Sequence, residues 1–261
     1  MHKFGLLGKS LPHSLSPQIH QIIFETTAYP GTYELIEKDD ITNIADLFKQ
    51  YHLTGLNVTI PYKETVFRQL NHLTEEATAI GAVNTLYMTN NQLTGTNTDY
   101  DGFGAMLTGA NISLTAKTVI ILGTGGSSKT VAHFAKNQNA TAVHLISRTP
   151  KANQFSYDQL DAMDFDILIN TTPVGMYPNV GISPVDESII KKADVLVDLI
   201  YNPEETEFLR LGRKHERVCC NGLLMLIGQA IKAEEIWQKR TFTQEEIRTI
   251  YEAVKEAMNH D

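Results

Sequence analysis

The fold is decided by residues Thr118–Asn137, with the sequence TVIILGTGGSSKTVAHFAKN. Four consecutive apolar residues, Val119–Leu122, are typical of a short strand that is buried on both faces. The glycine-rich turn Gly123–Ser128 follows, and the pattern after it predicts a helix over Lys129–Lys136. Glycines allow the chain to turn tightly and to approach a pyrophosphate closely, and the first amides of the helix face its charge. This strand, turn and helix therefore predict a dinucleotide site.

The residues after the next strand, predicted at Ala142–Ile146, indicate which dinucleotide is bound. NAD-binding units usually place Asp or Glu about 20 residues past the turn, where it binds the ribose 2′-hydroxyl. This chain has Ser147, Arg148 and Thr149 there, and a guanidinium can pair with two oxygens of a 2′-phosphate. The predicted cofactor is NADP. Its predicted phosphate-binding residues are Gly123, Thr124, Gly125, Gly126, Ser127, Ser147, Arg148 and Thr149.

Further apolar strands alternate with helical patterns after this unit. Strands are predicted at Phe165–Asn170 and Val195–Asp198, and a helix at Thr206–Lys214. Such alternation favours a parallel sheet with helices on both faces, that is, an α/β fold of the doubly wound Rossmann type. Thr171–Met176 follows a strand at the edge where such sheets bind ligands, and it fits a ligand loop or a plain connection almost equally well.

Composition limits the classes of partner. The 261 residues carry a formal net charge of −8, which argues against nucleic acid and anionic membranes as partners. The chain has neither an apolar run of the roughly 18 residues that cross a bilayer nor a signal-peptide core, so a cytoplasmic protein is expected. Cys219 and Cys220 suit buried thiols rather than a disulfide framework, and the histidine spacing suggests no metal site.

The N-terminal third contains polar residues at the ends of predicted elements. Ser16 and Pro17 are typical of a helix start, and Ser14 precedes them by two residues, so the two hydroxyls fit a helix cap and a carboxylate site equally well. In Leu56–Lys63, apolar residues alternate with polar ones up to Pro61, which predicts a strand that ends just before Lys63. Lys63 is then a site residue or a solvated surface lysine.

Six motifs, taken together, resemble shikimate dehydrogenases. They are HSLSP at His13–Pro17, LNVTIPYK at Leu56–Lys63, GAVNT at Gly81–Thr85, NTD at Asn97–Asp99, GTGGSS at Gly123–Ser128 and NGLLMLIGQA at Asn221–Ala230. They span nearly the whole chain in the family's order. The resemblance implies the reversible reduction of 3-dehydroshikimate to shikimate with NADPH, a step of aromatic amino-acid biosynthesis.

The resemblance also implies roles for individual residues. Lys63 and Asp99 match the catalytic acid–base pair, and Glu75, Leu199 and Gly222 match positions on the cofactor side, with Glu75 and Gly222 near the nicotinamide. The remaining matches lie on the substrate side, with the two serines at the carboxylate: Ser14, Ser16, Asn57, Thr59, Asn84, Tyr201 and Gln229. From the residues alone, Gln229 in the apolar helix predicted at Leu223–Trp237 is either a core hydrogen-bonding group or a ligand.

The expected organisation is an N-terminal α/β substrate domain, residues 1–100, and a Rossmann-type NADP-binding domain, residues 101–237. A last helix, which the capping box at Thr243–Glu246 introduces, completes the first domain within residues 238–261. The expected partners are small molecules only, and the expected assembly is a monomer or homodimer. Two alternatives are a quinate/shikimate dehydrogenase that prefers NAD, in which an acid would stand near Arg148, and a nucleotide sensor, which would be expected to lose Lys63 and Asp99.

Overall fold

The computed structural model describes residues 1–12 and 14–258. It contains two compact units, one formed by Met1–Gly102 with Ile227–Asp261 and the other by Phe103–Leu226. His13, the first residue of the N-terminal motif, and residues 259–261, the end of the predicted last segment, lie outside the described residues.

Strands and helices alternate along most of the chain. The strands are β1 (His2–Gly8), β2 (Gly31–Glu37), β3 (Gly55–Val58), β4 (His72–Leu73), β5 (Thr85–Thr89), β6 (Gln92–Thr96), β7 (Thr118–Leu122), β8 (Ala142–Ile146), β9 (Gln154–Phe155), β10 (Ile167–Asn170), β11 (Val195–Asp198) and β12 (Val218–Cys220). The helices are α1 (Ser16–Thr27), α2 (Ile44–Gln50), α3 (Lys63–Gln69), α4 (Glu75–Ile80), α5 (Asp99–Gly109), α6 (Gly126–Asn137), α7 (Glu187–Ile190), α8 (Glu207–Lys214), α9 (Leu223–Gln238) and α10 (Gln244–Met258). A 3₁₀ helix covers Tyr157–Ala162.

The first unit is built on a mixed sheet with the strand order β2-β1-β3-β5-β6-β4. Strands β1, β2 and β3 are parallel, whereas β5 runs antiparallel to both β3 and β6. The β5–β6 hairpin turns at Asn90 and Asn91, whose φ angles of 48° and 60° suit asparagine in a tight two-residue turn. The antiparallel register places Thr85 opposite Asn57, so polar side chains of two strands meet at one end of the sheet.

The second unit is built on a sheet with the order β12-β11-β10-β7-β8-β9, in which every pair is parallel. This confirms the predicted doubly wound α/β fold. Strand β7 lies between β8 and β10. The strand order therefore reverses at β7, with β8 and β9 on one side of it and β10, β11 and β12 on the other. Ligands of such sheets bind at the carboxyl ends of the strands at this position. The glycine-rich turn directly follows β7.

The C-terminal half of α9 packs in the core of the first unit. The Phe4 and Trp237 rings stack with centroids 4.7 Å apart, and Trp237 Nε1 donates a hydrogen bond to Leu86 O at 3.0 Å. A Cβ at Gly55 would lie 2.2 Å from Trp237 Nε1, so only glycine fits beneath the indole. These contacts explain why the first unit resumes at Ile227, before residue 238, where the sequence predicted the boundary.

Three local predictions differ from the structure. Strand β3 ends at Val58, and Ile60 is 67% exposed, so the alternation through Ile60 does not mark a continuous half-buried strand. Ser16 is the first residue of α1, and Leu15 stands at the N-cap position. Helix α6 begins at Gly126, three residues before the predicted start, because the extended backbone of Gly125 (φ −80°, ψ −173°) places the N-cap there.

The capping box of the last helix is confirmed. Thr243 N donates to Glu246 Oε2 at 2.8 Å, and Glu246 N donates to Thr243 Oγ1 at 3.2 Å. The two residues thus satisfy each other's free amides at the start of α10. Within residues 1–12 and 14–258, no helix is long and apolar enough to cross a membrane.

Candidate active site

Lys63 and Asp99 form an ion pair in the first unit. Each is the first residue of its helix, α3 and α5, and Lys63 Nζ donates to Asp99 Oδ2 at 2.5 Å. The two side chains are only 12% and 9% exposed. An ammonium has three N–H donors, so a single bond to Asp99 leaves it able to donate to a ligand oxygen as well. The structure therefore brings together the two residues for which catalytic roles were expected.

Asn84 holds the other oxygen of Asp99. Its Nδ2 donates to Asp99 Oδ1 at 2.9 Å and to Thr98 Oγ1 at 3.0 Å, and its Oδ1 accepts from Thr98 N at 2.7 Å. Asn84 is 2% exposed, so these bonds satisfy a buried amide. The direction of the Asp99 carboxylate is fixed through both of its oxygens.

Asn57 has protein partners for both ends of its amide. Its Oδ1 accepts from the Tyr33 hydroxyl at 2.8 Å, and its Nδ2 donates to Thr85 Oγ1 at 3.0 Å and to Asn84 O at 3.3 Å. Both amide hydrogens thus have acceptors within the protein. Asn57 therefore supports the polar groups next to it through these hydrogen bonds. Tyr33 and Thr85 belong to the same cluster, although the sequence analysis named neither of them as a site residue.

Ser14 and Ser16 stand at the N-terminus of α1. Ser14 Oγ accepts a hydrogen bond from Ser16 N at 3.3 Å, while Leu15 at the N-cap position provides no side-chain bond. The sequence suggested Ser16 as the capping residue. In the structure, the capping oxygen belongs to Ser14. Ser16 is 7% exposed.

The other predicted ligands of the first unit lie on three different elements. Thr59 follows β3 and is partly buried, and its amide donates to Leu7 O at 2.9 Å. Glu75 is exposed at the start of α4, with Thr74 as the capping residue, and Gln229 is partly buried on α9. Their ligand roles remain predictions.

The glycine-rich turn of the second unit has the geometry that an anion site needs. Gly123 has a φ of +112°, which favours glycine, and a Cβ there would lie 2.8 Å from Thr171 Oγ1. Gly125 is the N-cap residue of α6 and provides no side-chain hydrogen bond to the helix. A Cβ at Gly125 would meet no atom within 4 Å. The chain thus leaves open space beside Gly125, and the first-turn amides of α6, which lack partners within the helix, fit a pyrophosphate there.

Ser128 occupies the third glycine position of the fingerprint for a structural reason. It is 1% exposed, and its Oγ lies 2.6 Å from Thr171 Oγ1, which in turn donates to Leu122 O at 2.6 Å. The hydroxyl pair ties the start of α6 to the loop after β10. A serine is therefore compatible with close packing of helix and strand at this position.

Ser147, Arg148 and Thr149 follow β8, next to the glycine-rich turn. Gly123 N donates to Ile146 O at 2.9 Å, which fixes the two loops side by side. Ser147 is buried and its Oγ accepts from Thr149 N at 3.2 Å, whereas Arg148 is exposed. The positive charge of Arg148 opposes the rise in the pKa of Tyr157 that burial causes, so the guanidinium lies near that ring. An exposed guanidinium beside the turn fits a 2′-phosphate.

Asp198 is a buried carboxyl group at the end of β11 that the sequence did not single out. Its Oδ1 accepts from Asn170 Nδ2 at 3.0 Å and Ile200 N at 3.1 Å, and its Oδ2 accepts from Thr206 Oγ1 at 2.7 Å. Burial raises the pKa of Asp198 to about 6, although these hydrogen bonds oppose the rise. The carboxyl group organises the segment that continues through Leu199 to Tyr201.

Leu199 and Gly222, both predicted on the cofactor side, are in contact. A Cβ at Gly222 would lie 2.1 Å from Leu199 O, and Gly222 N donates to Ile200 O at 3.0 Å. Tyr201 follows in the same segment and is partly buried. Across the described ranges 1–12 and 14–258, no group of three or more His, Cys, Asp or Glu side chains could hold a metal ion.

Comparison with known proteins gives consistent matches along the chain. A family model described as the shikimate dehydrogenase substrate binding domain matches residues 6–86. A shikimate dehydrogenase (NADP(+)) of Clostridium beijerinckii is 42% identical over 250 residues, which cover 92% of this chain and 93% of that protein. The crystal structure of shikimate dehydrogenase 1 from Peptoclostridium difficile has a TM-score of 0.92 at 43% identity, with 98% of each chain covered.

Another similar structure was solved with bound ligands. Shikimate 5-dehydrogenase of Thermus thermophilus, in complex with NADP(H) and shikimate, has a TM-score of 0.86 at 29% identity. The match covers 98% of this chain and 100% of that chain. The similarity therefore extends over both compact units.

Proposed function

The chain belongs to the shikimate dehydrogenase family, and we propose that Lys63 and Asp99 are the acid–base pair of its reaction. It is an NADP-dependent oxidoreductase that reversibly reduces 3-dehydroshikimate to shikimate. The observation that carries the proposal is the 2.5 Å bond between Lys63 Nζ and Asp99 Oδ2 in a site that is nearly closed to solvent.

NADPH, when bound, supplies the hydride that reduces the ketone of the substrate. Negative charge then develops on the ketone oxygen, and a proton must reach it. The Lys63 ammonium stabilises this charge and donates the proton. Because 12% of the Lys63 side chain is exposed, the amine regains a proton from solvent. In the reverse direction Lys63 takes the proton from the hydroxyl group.

Asp99 and Asn84 position the lysine. Because Asn84 Nδ2 holds Asp99 Oδ1, the other oxygen of Asp99 is fixed toward Lys63. A fixed ammonium needs little reorganisation when charge develops on the substrate, which is how preorganised groups lower a barrier. Asn84 was expected to hold a ring hydroxyl. Its contacts add a role through Asp99 to that proposed role.

Substrate recognition must overcome the negative net charge of the protein, which is −8. We assign the carboxylate of the substrate to Ser14 and Ser16 because they stand at the positive end of α1, a helix of 12 residues. Thr59, Asn84 and Gln229 are proposed to hold ring hydroxyls of the substrate. Asn57 supports Asn84 through a hydrogen bond, and Tyr201 is proposed to contact the substrate. The substrate domain is accordingly the unit that contains Lys63.

The cofactor assignment rests on the glycine-rich turn and on Arg148. The open space at Gly125 supports a pyrophosphate against Gly123–Ser127, and the exposed guanidinium supports a 2′-phosphate held with Ser147 and Thr149. Glu75, Leu199 and Gly222 are proposed on the nicotinamide side. We expect small-molecule ligands only, a cytoplasmic location, and a monomer or homodimer.

One assay tests the function. Nicotinamide absorbance is followed with shikimate or quinate as substrate and with NADP or NAD as acceptor, in all four combinations. We expect shikimate with NADP to give the highest kcat/KM. Comparable efficiency with NAD would contradict the cofactor assignment, and a preference for quinate would contradict the substrate assignment.

A further inference from the structure

We propose that Tyr33 is a positioning residue of the substrate site, because its hydroxyl holds Asn57, which hydrogen bonds connect to the network that holds Asp99. The inference rests on the proposed function. Neither the sequence motifs nor the resemblance assigns Tyr33 a role. It lies on β2, the edge strand of the first sheet, and its ring reaches the end of β3.

The Tyr33 hydroxyl holds a buried amide. It donates to Asn57 Oδ1 at 2.8 Å. Asn57 is only 4% exposed. Burial, with a smaller contribution from the negative charge of Glu234, raises the pKa of Tyr33 well above 10. The hydroxyl therefore keeps its proton and remains a donor at any pH at which the enzyme works.

From Asn57 the hydrogen bonds continue to the catalytic pair. Asn57 Nδ2 donates to Thr85 Oγ1 at 3.0 Å, and Thr85 Oγ1 donates to Asn84 Oδ1 at 3.0 Å. Asn84 Nδ2 then reaches Asp99 Oδ1 at 2.9 Å. A single phenol thus supports, through Asn57, the residues that hold Asp99.

A buried hydrogen bond between His20 and Glu234 supports the ring that stacks on Tyr33. The His20 and Tyr33 rings stack with centroids 3.8 Å apart and an interplanar angle of 10°. His20 Nδ1 lies 2.6 Å from Glu234 Oε1, both side chains are fully buried, and Gln238 Nε2 donates to Glu234 Oε2 at 3.1 Å. His20 lies one helical turn after Ser16 on α1, so the stack and the serine belong to one rigid element.

Removing only the hydroxyl isolates this role. In Tyr33→Phe the ring and its stack on His20 remain, but Asn57 Oδ1 loses its donor. Asn57 can then adopt other orientations, so shikimate meets a less ordered site. We expect the KM for shikimate to rise about tenfold, because one buried hydrogen bond is lost, while the KM for NADP stays unchanged.

The experiment compares wild type, Tyr33→Phe and Tyr29→Phe in the assay of shikimate with NADP. Tyr29 is a matched control because it belongs to the same aromatic cluster and packs on His2 and Phe4. A purely structural role would lower Tm and the active fraction, and hence kcat, without changing KM. Supporting results are a KM effect confined to shikimate in Tyr33→Phe and wild-type kinetics in Tyr29→Phe.

A double-mutant cycle of Tyr33→Phe with Asn57→Ala adds a second measurement. If the hydroxyl acts by ordering Asn57, the two changes in kcat/KM will be less than additive. An unchanged KM for shikimate in Tyr33→Phe, or fully additive effects, would overturn the role of Tyr33 alone. A wild-type enzyme that does not oxidise shikimate would overturn the proposed function as well, so the two failures are distinguishable.

Discussion

Lys63 Nζ lies 2.5 Å from Asp99 Oδ2, and both residues begin a helix. The N-terminal end of a helix carries partial positive charge, so it favours the aspartate at the start of α5 and disfavours the lysine at the start of α3. The paired carboxylate compensates for the unfavourable position of Lys63. A cation held in this way is suited to stabilising a third group, the developing oxyanion of the substrate.

Lys63→Ala should lower kcat severely and leave shikimate binding within about one order of magnitude of wild type, because the lost group acts in the transition state. Loss of a general acid corresponds to a decrease in kcat of about 10²- to 10⁴-fold. Steady-state kinetics and equilibrium titration with shikimate measure the two effects separately. Lys49→Ala, an exposed lysine on α2, is the control. A variant that keeps most of its turnover would remove Lys63 from the mechanism.

Four strands of the second sheet could be predicted because each is a short, mainly apolar run, whereas the edge strands β9 and β12 were not predicted. Val119–Leu122 and Ile167–Asn170 are buried on both faces, so their hydrophobicity alone locates them. The same reasoning failed at Ile60, where an apolar residue follows the strand but is exposed to solvent. A period of two residues therefore does not show where a strand stops.

The proposed catalytic pair and Asn84, which holds Asp99, were identified through their motifs, whereas Tyr33, which holds Asn57, was not. Tyr33 is one aromatic residue in an edge strand, and nothing in its local sequence shows that its hydroxyl reaches Asn57. His20 and Glu234 are separated by 214 residues in the chain and meet only in the folded unit. Contacts of this kind depend on tertiary packing, which local periodicity does not encode.

Arg148→Ala should weaken NADP binding and leave NAD binding unchanged, since the guanidinium is proposed to contact only the 2′-phosphate. Loss of a charge-assisted hydrogen bond corresponds to a rise in the KM for NADP of about 10- to 100-fold. Arg213→Ala removes an exposed arginine elsewhere in the second unit and serves as the control. Initial rates with both acceptors measure the ratio. Equal losses of kcat/KM for NADP and NAD would show that Arg148 does not bind the 2′-phosphate.

Asp198→Asn should remove a pH dependence of stability. Because the pKa of Asp198 is raised from 3.8 to about 6 in the folded state, the folded protein binds the proton more tightly than the unfolded chain. The resulting stabilisation is complete below the unfolded pKa and is lost as the pH rises through about 6. From pH 4 to pH 7, wild type should lose about 2 kcal/mol of unfolding free energy relative to Asp198→Asn.

Urea denaturation of both proteins across this pH range measures the difference. The side-chain oxygen in the Asp198→Asn variant can still accept from Asn170 and Ile200, so the variant keeps part of the network. Glu205→Gln, an exposed carboxylate in the same unit, controls for the loss of a negative charge. If the wild-type and Asp198→Asn curves run parallel from pH 4 to pH 7, the carboxyl group does not titrate as its burial predicts.

The glycine-rich turn gives a prediction in which folding and cofactor binding separate. Gly125 has a φ of −80° and open space around its Cα, so Gly125→Ala should fold with an unchanged Tm. The added methyl group would occupy the space where the pyrophosphate approaches and should raise the KM for NADP about tenfold or more.

Gly123→Ala should instead lower Tm, because alanine is strained at a φ of +112° and its Cβ would meet Thr171 Oγ1 at 2.8 Å. Thermal unfolding without cofactor and titration with NADP distinguish the two variants. If Gly125→Ala bound NADP like wild type, the pyrophosphate would have to lie elsewhere than on the turn after β7.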